Sequence, residues 1–451
     1  MNLKTINPFT NKEIHTYSLH SNKQIDSIIE DVYKSYNDWK NTSFKDRKRL
    51  LVEIALHLKQ NSFEYAKIIT KEMGKPISES LSEINKCSLV CDYYAENGEA
   101  FLKSKEIKTN NLKSYVQYDP LGVVFGIMPW NFPFWQVFRI VAPSLMVGNV
   151  CILKHASNVT GCSVTIESLI NKLSPIKNIF RSLIMNSSAV GQIIEDNRIS
   201  AVTLTGSETA GMSVAKKAGN SLKKCVLELG GSDPFIVLKD ADIKKSAKYA
   251  INARFLNSGQ SCIAAKRFIV HRDIYEDFIS ELKEHFKKLK IGNPLDDDTN
   301  IGPLAKKELL QEIDYLVQSS IHKGAKLMYG GKINKCFYEP TLLIDVKDTM
   351  SVFNKETFGP VMCICKAKSK ADAIGIANKS EYGLSASIWT SNVKYAERIS
   401  SSIESGAVFI NQISHSDPRL PFGGIKKSGY GRELSKDGLM EFANRKTIVV
   451  G

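Results

Sequence analysis

The chain is poor in the features that mark several protein classes. No dense run of arginine and lysine interleaves with aromatics, and no nucleic-acid motif is present, so the net charge of +14 reads as a lysine-rich solvated surface rather than a nucleic-acid footprint. A positive field of this kind still favours an anionic substrate and an anionic cofactor. No cysteine pair has the Cys/His partners of a zinc site. The N-terminus, Met1 to Thr10, lacks the apolar centre of a secretory signal. The longest apolar stretch, Pro120 to Leu153, is interrupted by Pro129, Asn131, Pro133, Gln136, Arg139 and Pro143, which argues for a buried strand–turn–helix–strand over a membrane span. There is no internal repeat, no long linker and no G-x-G-x-x-G pattern.

What is present is ample for a large core. The 451 residues are 43% hydrophobic and 24% charged, which predicts two or three globular domains. The nine cysteines, an odd number mostly in apolar surroundings, predict reduced thiols and a cytoplasmic setting. Cys87 with Cys91, one helical turn apart, and Cys363 with Cys365, on one strand face, read as core packing.

Hydrophobic periodicity predicts helix over Ile25–Leu58, Phe63–Glu72 and Ile77–Leu102, then exposed strand over Glu106–Tyr118. Val123–Met128 is a short β-prone run bounded by Gly122 and Pro129, followed by a helix with Pro133 in its first turn. Strands at Val150–Lys154 and Ala201–Leu204 alternate with helices, the signature of a mostly parallel α/β sheet. A second α/β segment begins near Glu228, with strands at Phe235–Leu238, Phe268–His271 and Val408–Asn411 and helices at Ile243–Leu256, Tyr275–Lys288 and Lys306–Lys323. The tail Arg445–Val450 is β-prone and suited to pairing with another strand or chain.

Four local patterns carry chemistry. In Asn257-Ser258-Gly259-Gln260-Ser261-Cys262 a cysteine follows a helix in a turn of small residues, near backbone donors; burial is the bland alternative. In Glu228-Leu229-Gly230-Gly231 two glycines leave room for a ligand beside a carboxylate able to act as general base on water; a surface turn is the alternative. In Met128-Pro129-Trp130-Asn131-Phe132-Pro133 two prolines fix the backbone around an amide that can donate to an oxyanion or cap the next helix. In Thr205-Gly206-Ser207 a strand-to-helix turn offers an N-terminus to a pyrophosphate, or is an ordinary connection.

Together, in this order, these motifs resemble the aldehyde dehydrogenase superfamily. The resemblance extends through Asn7-Pro8, Leu153-Lys154, Glu356-Thr357-Phe358-Gly359-Pro360, Pro421-Phe422-Gly423-Gly424 and Ser428-Gly429-Tyr430-Gly431-Arg432-Glu433, and so covers nearly the whole chain. It implies an α/β fold with a Rossmann-like cofactor domain (1–101 and 121–230), an α/β catalytic domain (231–433) and a small β oligomerisation element (102–120 and 434–451). It further implies Cys262 as nucleophile, Glu228 as the base for deacylating water, and Asn131 with the Cys262 N–H as oxyanion donors. Trp130, Lys154, Ser157, Gly206, Ser207, Glu356 and Phe358 fall at cofactor-binding positions, the cofactor being NAD or NADP. A homodimer or homotetramer acting on a small aldehyde is implied, with neither nucleic acid nor membrane as partner.

Lys154-His155-Ala156 and the run Ser416–Gly424 are most similar to short bacterial succinate-semialdehyde dehydrogenases. In that resemblance Arg139 binds the substrate carboxylate from eight residues past Asn131, about 12 Å along a helix; a structural ion pair is its other reading. Larger relatives carry a second arginine where this chain has Leu256, and Arg419 is the candidate replacement. Ala264 stands where a second thiol would make a redox switch, and Ser157 stands where strictly NAD-dependent members carry glutamate, so both NAD and NADP are expected to serve. A related enzyme for another aldehyde and a non-catalytic binding or structural role are the alternatives; a salt-sensitive nucleic-acid binder is more distant.

Overall fold

Residues 2–451 are described by a computed structural model. A six-stranded sheet and a seven-stranded sheet dominate it. The six-stranded sheet has the spatial order Gly429–Tyr430, Lys224–Glu228, Ile199–Thr205, Val123–Met128, Val150–His155, Phe180–Ser182. All its pairings are parallel except that of Gly429–Tyr430 with Lys224–Glu228. From Val123–Met128 the chain passes to Val150–His155 on one side and returns to Ile199–Thr205 on the other. The strand order therefore reverses at Val123–Met128, and the crevice at the carboxyl ends of these strands is where an open α/β sheet binds ligands.

The seven-stranded sheet runs Lys326–Tyr329, Thr341–Ile344, Val361–Ala367, Arg267–His271, Pro234–Val237, Ser385–Trp389, Ala407–Ile410, parallel except for its first pair. Strands Pro234–Val237 and Ser385–Trp389 are buried throughout, as expected of a sheet covered on both faces. The chain returns to the first sheet at Gly429–Tyr430, within the span read as catalytic. The tail strand Ala443–Val450 pairs antiparallel with Lys113–Pro120, which pairs with Lys105–Glu106.

Three sequence expectations are refined. The helix expected over Ile25–Leu58 is two, Asn22–Trp39 and Phe44–Gln60, because Ser43 and Asp46 form a capping box that starts a new helix. The strand expected over Glu106–Tyr118 is broken by a turn in which the Asn111 N–H donates to Thr109 Oγ1 at 3.2 Å. The helix after Pro133 begins at Trp135, where the Glu83 carboxylate accepts the N–H groups of Phe134 and Trp135 at 2.9 and 3.0 Å. Pro120 to Leu153 is indeed strand, turn, helix and strand, and no helix among the described residues is long and apolar enough to cross a membrane. Cys87, Cys91, Cys363 and Cys365 are buried and unbridged.

Candidate active site

Cys262 follows the helix Ile243–Phe255 through a turn in which Asn257, Ser258 and Gly259 all have positive φ, at 54°, 54° and 76°. Two non-glycine residues in the left-handed region cost energy that the surroundings must offset. Long-range bonds do so: the Asn257 N–H donates to Glu79 at 2.6 Å, Asn257 Nδ2 to the Asn131 carbonyl at 2.8 Å, and the Gly302 N–H to Ser258 Oγ at 3.0 Å. At Gly259 a Cβ would collide with the Gly359 carbonyl as well as strain the backbone.

The turn thus binds the nucleophile loop to the Pro129–Pro133 segment. Asn131 Nδ2 donates to the Gln260 carbonyl at 3.1 Å, which fixes the amide and leaves its second N–H for an incoming oxygen. The Cys262 N–H has no protein acceptor among the described residues. Two donors near the thiol are the elements of an oxyanion hole. Lys266, which sequence reasoning missed, is fully buried and donates to the carbonyls of Ser261 and Cys262 at 2.9 and 2.6 Å. Its ammonium also lies 3.2 Å from Glu356, so that carboxylate and the backbone of the Cys262 loop share one cation.

Burial pushes the Cys262 thiol up to about 12, against the pull of Lys266 and Arg139, so the resting side chain is a thiol. Glu228 ends the strand Lys224–Glu228, is buried, and has no hydrogen-bond partner for either carboxylate oxygen. Burial drives its carboxyl well above the usual range, the neighbouring Glu433 adds to the effect, and Arg139 and Arg432 oppose it. A buried acid without partners, whose charge also acts on the Cys262 thiol, is suited to exchanging a proton with water.

The cofactor-side candidates gather at the carboxyl ends of the six-stranded sheet. Lys154, next to last in its strand, is half-buried, and burial together with the positive charge of Lys306 holds its ammonium below the usual range. Exposed Ser157 starts a short 3-10 turn just beyond. The Gly206 N–H donates to the Glu228 carbonyl at 3.0 Å, and Ser207 Oγ accepts from the Ala210 N–H at 3.3 Å as cap of the helix Glu208–Asn220. Trp130 and Phe358 meet edge to face, centroids 5.7 Å apart. The Gly231 N–H donates to Glu356 at 3.1 Å, and a Cβ on Gly230 would stand 2.6 Å from the same carboxylate. Paired lysines without a carboxylate partner, exposed hydroxyls and a helix N-terminus fit a phosphorylated dinucleotide.

The Cys262 face opens on a cavity of about 240 Å³ lined by Glu79, Glu83, Lys86, Trp135, Arg139, Leu256 and Ser416, among others. Of the two arginines expected to bind substrate, the structure brings Arg139 to the cavity and leaves Arg419 outside it. Arg139 reaches the cavity wall, but its Nε lies 2.7 Å from the buried Glu433 and its guanidinium covers the Phe422 ring at 4.8 Å. Its Nε thus partners a buried acid whose carboxyl burial raises, while the guanidinium still lines the cavity. Arg419 is not brought to the cavity: its side chain is 76% exposed and chelates Asp417, with contacts of 2.9 and 2.6 Å. Leu256 does line the cavity.

An aldehyde dehydrogenase family model matches residues 1–448. A probable succinate-semialdehyde dehydrogenase [NADP(+)] from Synechocystis is 44% identical, with 99% of both chains covered. A protein from Mycobacterium tuberculosis, succinate-semialdehyde dehydrogenase [NADP(+)] 1, is 42% identical over 99% of both chains. The crystal structure of succinic semialdehyde dehydrogenase from Streptococcus pyogenes with NADP+ superposes with a TM-score of 0.97, at 37% identity and 99% coverage of each chain.

Proposed function

Because the chain belongs to the aldehyde dehydrogenase family, we propose that it oxidises short aldehydes bearing a distal carboxylate, succinate semialdehyde foremost, to the acid, with NADP preferred and NAD also accepted. The observation that carries the reading is the placing of Cys262 on the cavity wall, with Asn131 bonded to its loop at the Gln260 carbonyl and buried Glu228 close enough for its charge to act on the thiol. The relatives that are named for this substrate and for NADP support both choices.

The residues divide the work. Cys262 gives its proton through water to ionised Glu228, which releases it to solvent, and the sulfur attacks the aldehyde carbon, while Asn131 Nδ2 and the Cys262 N–H hold the oxygen of the thiohemiacetal. NADP, when bound, supplies the hydride acceptor. Collapse of the oxyanion then leaves a thioester on Cys262. Glu228, ionised, takes a proton from water, whose oxygen attacks the thioester and frees the acid and the thiol. Lys154 and Ser157 would hold the adenosine ribose and its phosphate. Gly206 and Ser207 would hold the pyrophosphate. Glu356 would hold the nicotinamide ribose, with Trp130 and Phe358 beside the chain.

Residues 1–101 with 121–230 serve as the cofactor-binding unit, and 231–433 as the catalytic unit. The assembly is a homodimer or homotetramer in the cytoplasm, joined through 102–120 and 434–451; exposed Val449 and Val450 on the tail strand support this. An aldehyde panel assayed with each cofactor tests the activity. Succinate semialdehyde should exceed butanal in kcat/KM, and NADP should exceed NAD; equal rates for the two aldehydes would overturn the substrate assignment.

A further inference from the structure

Lys266 stands one residue before the strand Arg267–His271, and its N–H donates to the Asp233 carbonyl at 3.0 Å, which ties it to the neighbouring strand Pro234–Val237. Its side chain is fully buried, a costly setting for an ammonium unless every donor finds a partner. Each does. The Ser261 carbonyl lies at 2.9 Å, the Cys262 carbonyl at 2.6 Å and the Glu356 carboxylate at 3.2 Å. The ammonium therefore has no hydrogen to spare for substrate, and its role lies in the chain it holds.

The Ser261 carbonyl and the Cys262 N–H belong to one peptide unit. That unit is planar and trans, so the two groups point in opposite directions. Drawing the carbonyl toward Lys266 turns the N–H the other way, where no protein acceptor meets it among the described residues. We propose that Lys266 is a positioning residue for the oxyanion hole: by holding the Ser261 carbonyl from the start of the strand Arg267–His271, it aims the Cys262 N–H at the oxygen of the reacting carbonyl. The inference rests on the thiohemiacetal chemistry proposed above. A cation at the carbonyl end also polarises the peptide, which makes its N–H a stronger donor.

The nucleophile loop is thereby held from both sides. Before Cys262, the left-handed turn is bonded to Glu79, Asn131 and Gly302. After it, Lys266 fixes two consecutive carbonyls to a strand of the seven-stranded sheet. The Ala264 N–H also donates to the Ser261 carbonyl, at 3.2 Å, but that bond closes a turn inside the loop and anchors it to nothing outside. Gly231 leaves room for the arrangement: a Cβ there would stand 2.7 Å from the Cys262 carbonyl that Lys266 holds. The charge of Lys266 also favours the Cys262 thiolate against burial, so its effect on thiolate supply must be separated from its effect on the oxyanion.

Two reagents make the separation in the full chain without dinucleotide, each followed at Cys262 by mass spectrometry. Iodoacetamide alkylates the sulfur by displacing iodide and forms no oxyanion. p-Nitrophenyl acetate acylates the same sulfur through a tetrahedral oxyanion, releases p-nitrophenolate and leaves an acetyl thioester. Both rates scale with the thiolate present, so the ratio of acylation to alkylation reports the oxyanion donors. Asn131→Ala, which removes a donor outright, should lower the ratio about 100-fold. Lys266→Met should lower it about 10- to 100-fold, and Lys266→Gln, which keeps a shorter donor without the charge, by less. An unchanged ratio in Asn131→Ala defeats the oxyanion reading itself. A lowered ratio in Asn131→Ala, with equal falls in both reactions and so an unchanged ratio in Lys266→Met, defeats the role of Lys266 alone. Where Lys266→Met does not fold, Lys266→Gln is read on the same scale, and an unchanged ratio there overturns the proposal as well.

Discussion

The two ends of the site are built on opposite principles. Around Cys262 and Glu228 the ionisable groups are buried, short of partners, and displaced far from their ordinary proton affinities. Around Ser157 and Ser207 the groups are exposed hydroxyls at helix or turn starts, with solvent at hand. The first arrangement makes proton transfer sensitive to small changes in surroundings; the second recognises a charged ligand without altering its chemistry. Substitutions at the first end should therefore affect rate steeply, and at the second should affect choice of ligand.

Cys262→Ala sets the upper limit of this contrast. Turnover should fall by at least about 10⁴-fold, since no other group can form the covalent intermediate, while NADP binding measured by fluorescence titration stays near the wild-type value. Comparable turnover in the variant would remove the thiol from the mechanism.

Glu228→Gln comes next. A lost general base corresponds to roughly 10²- to 10⁴-fold, and the thioester should accumulate, visible as an acyl adduct on Cys262 by mass spectrometry. The pH profile sharpens the point. The folded-state carboxyl is raised, so the basic form is scarce at low pH and grows as pH increases. Single-turnover deacylation should therefore rise with pH in the wild type and be flat in Glu228→Gln. Identical slopes in the two proteins would assign the titration to another group.

The smallest effect belongs to the solvated end. Ser157→Glu should reduce the NADP-to-NAD preference by about 10- to 100-fold through like-charge repulsion of the ribose phosphate. The NAD rate should change little, and the shift should shrink at high salt because Ser157 is exposed. A loss of both cofactors in equal measure would show damage to the turn instead.

Legibility in the sequence follows the same division. Asn131, Glu228 and Cys262 could be read because prolines and glycines beside them declare the backbone they need. Strands such as Val123–Met128 could be read because a sheet covered on both faces demands an uninterrupted apolar run. The charge partnerships could not. Lys86 meets Ser416 across 330 residues, and Arg139 in its helix meets Glu433 in the connection from strand Gly429–Tyr430 to helix Ser435–Glu441, so neither pairing leaves a local pattern. Lys266 is a buried lysine held by carbonyls, and no spacing announces that. Arg419 is the exception: Asp417 lies two residues away, and the short chelate that removes the arginine from the cavity was available to local reasoning.

The left-handed turn at Asn257, Ser258 and Gly259 has a consequence for how such an enzyme diversifies. Its residues answer to backbone geometry and to bonds with Glu79, Asn131 and Gly302, so nearly any exchange there disturbs the nucleophile. Leu256, immediately before the turn, faces the cavity with 40% exposure and carries no such obligation. Neither does Ile413 on the same cavity wall. Heritable change in the aldehyde accepted is thereby channelled into a few permissive positions next to an intolerant one, and a new diet can be acquired by descent while the reaction itself is inherited intact.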